Sequence, residues 1–485
     1  MIRFKEILLV FSAACFGLSY AQTGNIPSHY ASMYENQRKN TPPTEAENIS
    51  LTVKDEIEIS INRLQNDPVL RNANWGFALY DPKTKKLISS YNEESAFVPA
   101  STTKLLTTDT ALSLLGPDFR WVTQLEYSGE IDENGVLNGN LYIVSSGDPS
   151  LGTGKAGAST YGTIVQDFLY AIKDKGIKKI GGNIVIQTAL FKENKQEMLP
   201  ENIVWLEHNN YYLPVGTTTN VDPRNERLTA SKKNPFEETK QYYYVSPYIH
   251  KLVFADEFKG GAVEGKIPDA PSYLASALRT NLIKNGIGVS GVVSPKMQDR
   301  DPEARMVITA YRSPALKDIV YDTNQRSDNN LAESLLRTAG FQRFGDQSLS
   351  SGKSAVIEHL KERGFDTSHL VFADGSGLSR SHRVTPISQV TFLADQMQSP
   401  YYEIFFDSLP IAGQTGTLKK SFYGDGYGQI FAKTGTLNKV KTLAGYVKTR
   451  SGRILTFSLL INNYAGSVTQ VKDKMEELLD PVVHL

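Results

Sequence analysis

A serine and a lysine stand three positions apart where a loop enters an apolar stretch of the chain. Ser101 and Lys104 follow Pro99, which cannot continue a preceding helix, and the leucine-rich residues after them stop at Gly116. This pattern predicts a buried helix with Ser101 in its first turn. Residues three apart share a helix face, so the Lys104 amine can reach the Ser101 hydroxyl. The pair could therefore supply an activated nucleophile, because the amine accepts the hydroxyl proton and the helix N-terminus favours negative charge.

Two further short motifs follow in chain order and could complete such a site. Residues 327–329 read Ser-Asp-Asn, and residues 433–436 read Lys-Thr-Gly-Thr. Each motif is weak alone: Ser-x-x-Lys recurs at residues 350–353, a Gly/Ser-rich segment that we predict to be a loop. Ser101 could also be an ordinary helix N-cap, and Lys433 a solvated strand residue. The order and setting of the three motifs favour a joint catalytic site over these structural alternatives.

The three motifs and their flanks resemble the serine D-alanyl-D-alanine peptidases, the penicillin-binding proteins. Within this group the chain is most similar to the penicillin-binding protein 4 type, the D-alanyl-D-alanine carboxypeptidase/endopeptidase family. Residues 146–149, 374–380 and 409–413 also carry the resemblance. The long separation of Ser101 from Ser327 fits as well, since that family inserts large extra domains between these motifs.

The resemblance implies a catalytic role for four side chains. Ser101 would attack the carbonyl of a D-alanyl-D-alanine bond, and Lys104, as a neutral amine, would accept its proton. Ser327 and Lys433 would relay a proton to the leaving amine. The pKa of Lys104 must then fall from about 10.4 toward neutrality, and we expect burial and the like charge of Lys433 to lower it.

The remaining motif residues would hold the substrate if the resemblance applies. Asn329 would bind the peptide amide, and Thr434 and Thr436, on either side of Gly435, would bind the terminal carboxylate. The backbone amides of Ser101 and Thr436 would form the oxyanion hole.

Three residues outside the motifs match family positions near the substrate pocket or lie beside it. Asp148 and Arg380 correspond to positions near the pocket for the second amino group of the stem peptide, and Asn438 lies where a further contact would come. Each also has a structural interpretation: Asp148 as a turn residue before Pro149, Arg380 as a loop charge and Asn438 as a turn residue.

The elements around the motifs indicate an α/β domain that is split in sequence. A helix from Val53 and strands at 75–80 and 87–91 precede Ser101, and three strands between 429 and 461 end the chain. We expect the early hairpin to complete the terminal sheet. Three helices end in Lys and Gly, near residues 172, 283 and 360. We interpret these ends as generic capping, not as a repeat.

The resemblance implies the penicillin-binding/β-lactamase-like transpeptidase fold, an antiparallel sheet with helices on both faces and a large inserted mixed α/β lobe. The predicted divisions are a signal peptide at 1–21, a mobile leader at 22–51, a serine D,D-peptidase domain at 52–116 plus 304–485, and the insertion at 117–303.

The start of the chain predicts export. Arg3 and Lys5 precede an apolar segment and a small-residue cleavage site at 19–21, as in secretory signal peptides. Cys15, the only cysteine, lies in this segment, and cleavage before it would instead make a lipoprotein. We expect no disulfide and no membrane-spanning anchor in the mature chain. The family resemblance favours the periplasm.

Composition excludes some partners. The 485 residues carry 52 basic and 52 acidic side chains, so no global charge favours nucleic acid or an anionic membrane. The seven histidines show no paired metal spacing and residues 352–354 lack the upstream glycine of a P-loop, so we expect neither a metal nor another cofactor.

The sequence thus favours a secreted serine D-Ala-D-Ala carboxypeptidase, with endopeptidase activity on cross-links as an open second activity. Peptidoglycan stem peptides would be its substrates and β-lactams its covalent inhibitors. Two alternatives stay open. A β-lactamase shares the motifs but must deacylate fast, and a non-catalytic wall-binding or assembly protein could retain the pocket.

Overall fold

A computed structural model describes residues 51–187, 203–206, 211–214, 243–246, 251–254, 270–296, 303–345 and 347–485. The predicted signal peptide with Cys15, and the predicted leader up to residue 50, lie outside the described residues. Within the described ranges no helix has the length and apolar character needed to cross a membrane.

A five-stranded antiparallel sheet organises the part of the chain that carries the motifs. Its strands are β1 Asn74–Asp81, β2 Lys86–Tyr91, β16 Ile430–Leu437, β17 Val440–Lys448 and β18 Ile454–Asn462. The order across the sheet is β16-β17-β18-β1-β2. Trp75 pairs with Ile461 and Tyr80 with Thr456, which confirms that the early hairpin completes the terminal sheet. Strand β16, with the third motif, is therefore left at one edge.

Helices cover both faces of this sheet, as the expected fold requires. They are α1 Val53–Asn66, α2 Lys104–Leu115, α5 Leu316–Arg326, α6 Asn329–Phe344, α7 Leu349–Glu362, α8 Pro386–Gln396, α9 Tyr402–Asp407 and α10 Val468–Leu479. Successive strand residues point to opposite faces, so Leu443 packs in the core beneath α1 and α10, whereas Ala444 packs in the core with Leu105 of α2. Helix α2, which follows Ser101, is thus buried between the sheet and a layer of helices.

The described part of the chain between α2 and α5 forms two larger sheets and two strand pairs, with a core of its own. Its described elements are β3 Val122–Ser128, β4 Glu130–Ile131, β5 Val136–Asn138, β6 Leu141–Ser145, α3 Tyr161–Asp174, β7 Lys179–Ile180, β8 Ile184–Gln187, β9 Ile203–Leu206, β10 Tyr211–Pro214, β11 Tyr243–Ser246, β12 Lys251–Phe254, α4 Ala270–Lys284, β13 Gly288–Val289, β14 Val293–Lys296 and β15 Arg305–Arg312. The sheets have the orders β14-β8-β6-β3-β15 and β13-β7-β5-β4, and β9/β10 and β11/β12 form two further pairs. Ile143, Phe168 and Leu278 belong to the core, so the insertion is a mixed α/β lobe as expected.

The predicted boundary at 303/304 does not follow the strand pairing. It assigns β15 to the peptidase domain, whereas β15 pairs with β3 from Arg305 opposite Ser128 to Arg312 opposite Val122. A strand's partner is not encoded in its local pattern, which explains the difference. The two ends of the insertion meet, since Ser313 N donates to Trp121 O at 2.9 Å and Trp121 N donates to Ser313 Oγ at 3.0 Å.

Two of the three helix ends that we interpreted as generic capping introduce equivalent units of the insertion. After α3 and α4 the chain forms a short strand, a tight corner and a second strand, and the units stack with Gly288 opposite Lys179 in parallel register. The corner between β5 and β6 stacks on them in the same way. The corners share an asparagine ladder, in which Asn183 N donates to Asn140 Oδ1 at 2.7 Å and Val292 N donates to Asn183 Oδ1 at 2.9 Å.

Candidate active site

Ser101 lies in a 3-10 turn, Ala100–Thr103, that runs directly into α2. Ala100 has a φ of 49°, a left-handed conformation that is uncommon for alanine. The amine of Lys104 donates a hydrogen bond to Ser101 Oγ at 3.1 Å. The structure therefore brings this pair together as the spacing predicts.

Lys104 is fully buried and joins three separate segments of the chain. Besides Ser101, its amine donates to Asn329 Oδ1 at 2.7 Å and to the carbonyl oxygen of Ser376 at 2.6 Å. Three acceptors match the three hydrogens of an ammonium group. The first motif, the second motif and the loop after residue 374 consequently converge on one nitrogen.

Burial lowers the pKa of both motif lysines. Burial lowers the pKa of Lys104 to about 8, although the carboxylates of Glu333, Asp374 and Asp328 act in the opposite direction. Burial, followed by the charges of Lys104 and Lys441, lowers the pKa of Lys433 well below its usual range. We expected the charge of Lys433 to lower the pKa of Lys104. Burial, the other cause we expected, has that effect, and the charges that act on Lys104 are those of the three carboxylates.

The second motif forms a sharp corner between two helices. Ser327 ends α5 in a left-handed conformation, with φ 57° and ψ 40°. Asp328 then caps α6 by accepting hydrogen bonds from the backbone N–H groups of Asn330 at 2.9 Å and Leu331 at 3.1 Å. The cap fixes the start of α6, and Asn329, its first residue, reaches Lys104.

The third motif approaches the turn of Ser101 through its glycine. A Cβ atom on Gly435 would lie 2.9 Å from Ser101 N, 2.8 Å from Pro99 O and 2.1 Å from Thr442 Oγ1. Only glycine permits this distance between β16 and the turn. Thr442 reinforces the contact, since its hydroxyl donates to Pro99 O at 2.6 Å.

The side chains of this motif have distinct environments. Lys433 is fully buried, and its amine donates to Thr434 O at 2.9 Å. Thr434 Oγ1 donates to the hydroxyl of Thr417 at 2.7 Å. Thr436 is exposed at the edge of the sheet, where a ligand can contact it.

The loop after α7 supplies the carbonyl that faces Lys104. Asp374 accepts hydrogen bonds from the N–H groups of Gly377 at 2.6 Å and Ser379 at 2.8 Å, and Glu333 accepts one from Ser376 N at 2.9 Å. Sequence reasoning missed Glu333. Its position four residues after Asn329 on the same face of α6 was the available signal.

The sequence profile of the D-Ala-D-Ala carboxypeptidase 3 (S13) family matches residues 57–269 and 253–482. The chain belongs to this family. It is therefore an enzyme, a serine-type D-Ala-D-Ala carboxypeptidase.

Relatives and solved structures agree with the S13 assignment. The chain is 26% identical over 444 residues to D-alanyl-D-alanine carboxypeptidase DacB of Haemophilus influenzae, covering 84% of this chain and 89% of that protein. It is 27% identical over 451 residues to D-alanyl-D-alanine carboxypeptidase of Actinomadura sp. strain R39, covering 85% and 82%. The crystal structure of penicillin binding protein 4 (dacB) from H. influenzae matches with a TM-score of 0.64 at 23% identity, covering 90% of this chain and 100% of that chain. This similarity confirms the predicted fold.

In this S13 enzyme Asp148 is buried, with its two carboxylate oxygens in different environments. Oδ1 accepts hydrogen bonds from Ser150 N at 2.8 Å and Ser150 Oγ at 2.6 Å, whereas Oδ2 is buried without a hydrogen-bond partner in the described part of the chain. Burial raises the pKa of Asp148 to about 6. The adjacent Gly147 O accepts a hydrogen bond from Ser334 Oγ on α6 at 3.2 Å, which connects this loop to the helix of Asn329.

The structure joins Arg380 and Asn438 through the main chain. Arg380 Nη1 donates to Asn438 O at 2.9 Å, and both residues are exposed. Arg380 also borders a cavity of about 640 Å³ that Phe97, Arg383 and Asn462 help to line.

The second Ser-x-x-Lys copy does not lie in a loop, so that expectation was wrong. Residues 350–353 fall in α7, which Ser348 caps and which Val356 and Leu360 anchor in the helical core. The packing of these apolar residues outweighs the Gly/Ser composition of the first turn. Ser350 is exposed, in contrast to the buried surroundings of Lys104.

Among the described residues, no cluster of three His, Cys, Asp or Glu side chains is placed to hold a metal ion.

Proposed function

We propose that this S13 enzyme is a secreted, cell-envelope D-Ala-D-Ala carboxypeptidase that cleaves peptidoglycan stem peptides through an acyl-enzyme on Ser101. The observation that carries the proposal is the buried amine of Lys104, 3.1 Å from the Ser101 hydroxyl and 2.7 Å from Asn329 Oδ1. A lysine with a pKa of about 8 is partly neutral near physiological pH, so it can act as a general base.

Acylation would proceed as follows. Ser101 Oγ attacks the carbonyl carbon of the D-Ala-D-Ala bond while its proton passes to Lys104. The close approach of β16 at Gly435 supports an oxyanion hole made of the N–H groups of Ser101 and Thr436. The C–N bond then breaks, and a proton relayed through Ser327 and Lys433 goes to the departing D-alanine. Water subsequently hydrolyses the ester and regenerates Ser101.

Substrate contacts are assigned by position in the site. Asn329 would bind the peptide amide, and Thr434 and Thr436 the terminal carboxylate. Asp148 Oδ2, buried without a partner in the described chain, would accept a hydrogen bond from an amino group of the stem peptide. Arg380 and Asn438, which contact each other at the exposed edge, would bound the same pocket.

Location and inhibition follow the same proposal. The charged and apolar start of the chain supports export to the periplasm. The crystal structure of H. influenzae penicillin binding protein 4 in complex with a β-lactam, which matches this chain with a TM-score of 0.64, supports β-lactams as covalent inhibitors.

The test is the intact mass of the mature protein after a short exposure to benzylpenicillin. We expect one persistent adduct on the wild type and none on Ser101→Ala. The matched control is Ser350→Ala, which removes the serine of the other Ser-x-x-Lys copy and should keep the adduct. Consumption of the drug without an adduct would indicate a β-lactamase, and an intact drug without an adduct would indicate a non-catalytic protein.

A further inference from the structure

Lys441 lies directly behind the last threonine of the third motif. On β17 it stands opposite Thr436 of the edge strand β16. Directly opposed residues of an antiparallel pair project from the same face of the sheet. The Lys441 amine donates a hydrogen bond to Thr436 Oγ1 at 2.7 Å. Thr436 is exposed and Lys441 is half-buried, so the lysine supports the threonine from the protein side.

The charge of Lys441 is poorly compensated. Burial lowers its pKa to about 8, and the ammonium group of Lys472 on α10 acts in the same direction. No ion pair joins Lys441 to a carboxylate of the described residues. A half-buried cation with a like charge nearby attracts an anion that approaches the adjacent strand edge.

We propose that Lys441 is a positioning residue for the C-terminal carboxylate of the substrate and acts through the hydroxyl of Thr436. This inference rests on the proposed function, in which Thr436 binds that carboxylate. The amine occupies a lone pair of Thr436 Oγ1, so the hydroxyl hydrogen points away from Lys441 and can be donated to the ligand. The ammonium charge behind the hydroxyl strengthens that bond.

The test compares two ligands that differ only in the carboxylate, benzylpenicillin and its methyl ester. For Lys441→Met we expect the second-order rate constant of Ser101 acylation by benzylpenicillin to fall about tenfold or more, the effect of one hydrogen bond to a charged group. Acylation by the ester should change much less. A purely structural role would reduce both rates equally.

Two further variants separate charge from packing. Lys441→Arg keeps a positive donor and should recover most of the lost preference for the free acid, whereas Lys441→Gln keeps a neutral donor and should recover less. Lys439→Met is the matched control. Lys439 is exposed, its amine donates to Gly466 O at 3.3 Å, and its removal should leave the ratio of the two rates unchanged.

The outcomes distinguish this inference from the proposed function. Equal losses for both ligands in Lys441→Met, or no loss for either, would overturn the role of Lys441. Failure of the wild type to be acylated by benzylpenicillin would instead overturn the acyl-enzyme itself. If Lys441→Met does not fold, the ratios measured for the Arg and Gln variants decide.

Discussion

At the scale of single residues, the candidate site holds two buried lysine amines whose pKa values are both lowered by burial. The amine of Lys433 donates to the carbonyl oxygen of Thr434 at 2.9 Å, and the charges of Lys104 and Lys441 near it are positive. Lys104 donates to three acceptors, and nearby carboxylates oppose the effect of burial on its pKa. A pKa of about 8 would make the amine of Lys104 available as the proposed base near that pH.

The pKa of Lys104 predicts the pH dependence of acylation. Lys104 must be neutral to accept the Ser101 proton, so the acylation rate with benzylpenicillin should rise through a pKa of about 8. The neutral fraction grows from about a tenth at pH 7 to about nine tenths at pH 9, which gives a rise of about ninefold. The rate is measured at each pH by stopping the reaction after set times and determining the acylated fraction from the intact mass.

Stability does not produce the same pH profile. The pKa of Lys104 is lower in the folded than in the unfolded chain. Its contribution to the free energy of unfolding therefore rises from pH 8 to about 10.5 and is constant below pH 8.

For Lys104→Arg we expect the acylation rate to fall at least about a hundredfold and to show no rise near pH 8. A wild-type rate that is flat between pH 6 and 9 would remove Lys104 as the base.

The sequence predicts contacts within one helical turn better than contacts between distant segments. Ser101 and Lys104 meet because three positions along a helix bring side chains together. The acceptors Asn329 and Ser376 lie 225 and 272 residues from Lys104 in sequence, and only the assembled fold brings them to its amine. The family resemblance predicted Asn329 as a site residue. It could not predict Ser376, because any residue type can present a backbone carbonyl.

At the scale of elements, the site is the contact between the edge strand β16 and the 3-10 turn before α2. Gly435 allows the strand to lie against Pro99 and Ser101, and Thr442 on the next strand bonds to the same turn. The distance between the backbones of β16 and the Ser101 turn therefore depends on the absence of a Cβ atom at Gly435. The proposed oxyanion hole depends on it as well.

Gly435→Ala should separate catalysis from folding. Its Cβ would force the strand and the turn apart, and a misplacement of about 1 Å costs about a hundredfold in rate. We expect at least that loss in benzylpenicillin acylation, measured beside the thermal midpoint. Gly162→Ala in α3 is the control, because its Cβ would meet only Thr160 Oγ1 at 3.7 Å. Normal acylation by Gly435→Ala would show that the close approach is not required.

Element predictions succeeded where periodicity extends over many residues. The helix predicted from Val53 is α1, Val53–Asn66, in which the buried residues Ile57, Ile61 and Leu64 recur at helical spacing. Strands of two residues, such as β7 and β13, are too short to carry a period, and they are defined by their parallel neighbours. The sequence did not predict the stacked units of the insertion for the same reason. These units resemble one another in their strand pairing more than in their residue types.

At the scale of the whole molecule, the insertion is attached to the peptidase part at one closed point. Trp121 and Ser313 hydrogen-bond to each other where the chain leaves and returns. The insertion has its own core, yet its loop at Gly147 contacts Ser334 of α6, and this loop carries Asp148 beside the helix of Asn329. Such an arrangement suits a lobe that adds substrate selection to an independently assembled catalytic centre.

Removal of the insertion tests whether substrate selection and catalysis depend on different parts of the chain. We expect a variant in which a short Gly/Ser linker replaces residues 122–312 to fold and to be acylated by benzylpenicillin, because Ser101, Lys104 and their partners lie outside the deletion. It should lose a preference of about tenfold or more for D-Ala-D-Ala peptides with a free amino group in the third side chain over acetylated ones, since Asp148 is absent. Asp148→Asn in the full chain should lose the same preference. A folded deletion variant that retains the preference would place amino-group recognition in the peptidase part, and a full-length enzyme without any preference would remove Asp148 from substrate binding.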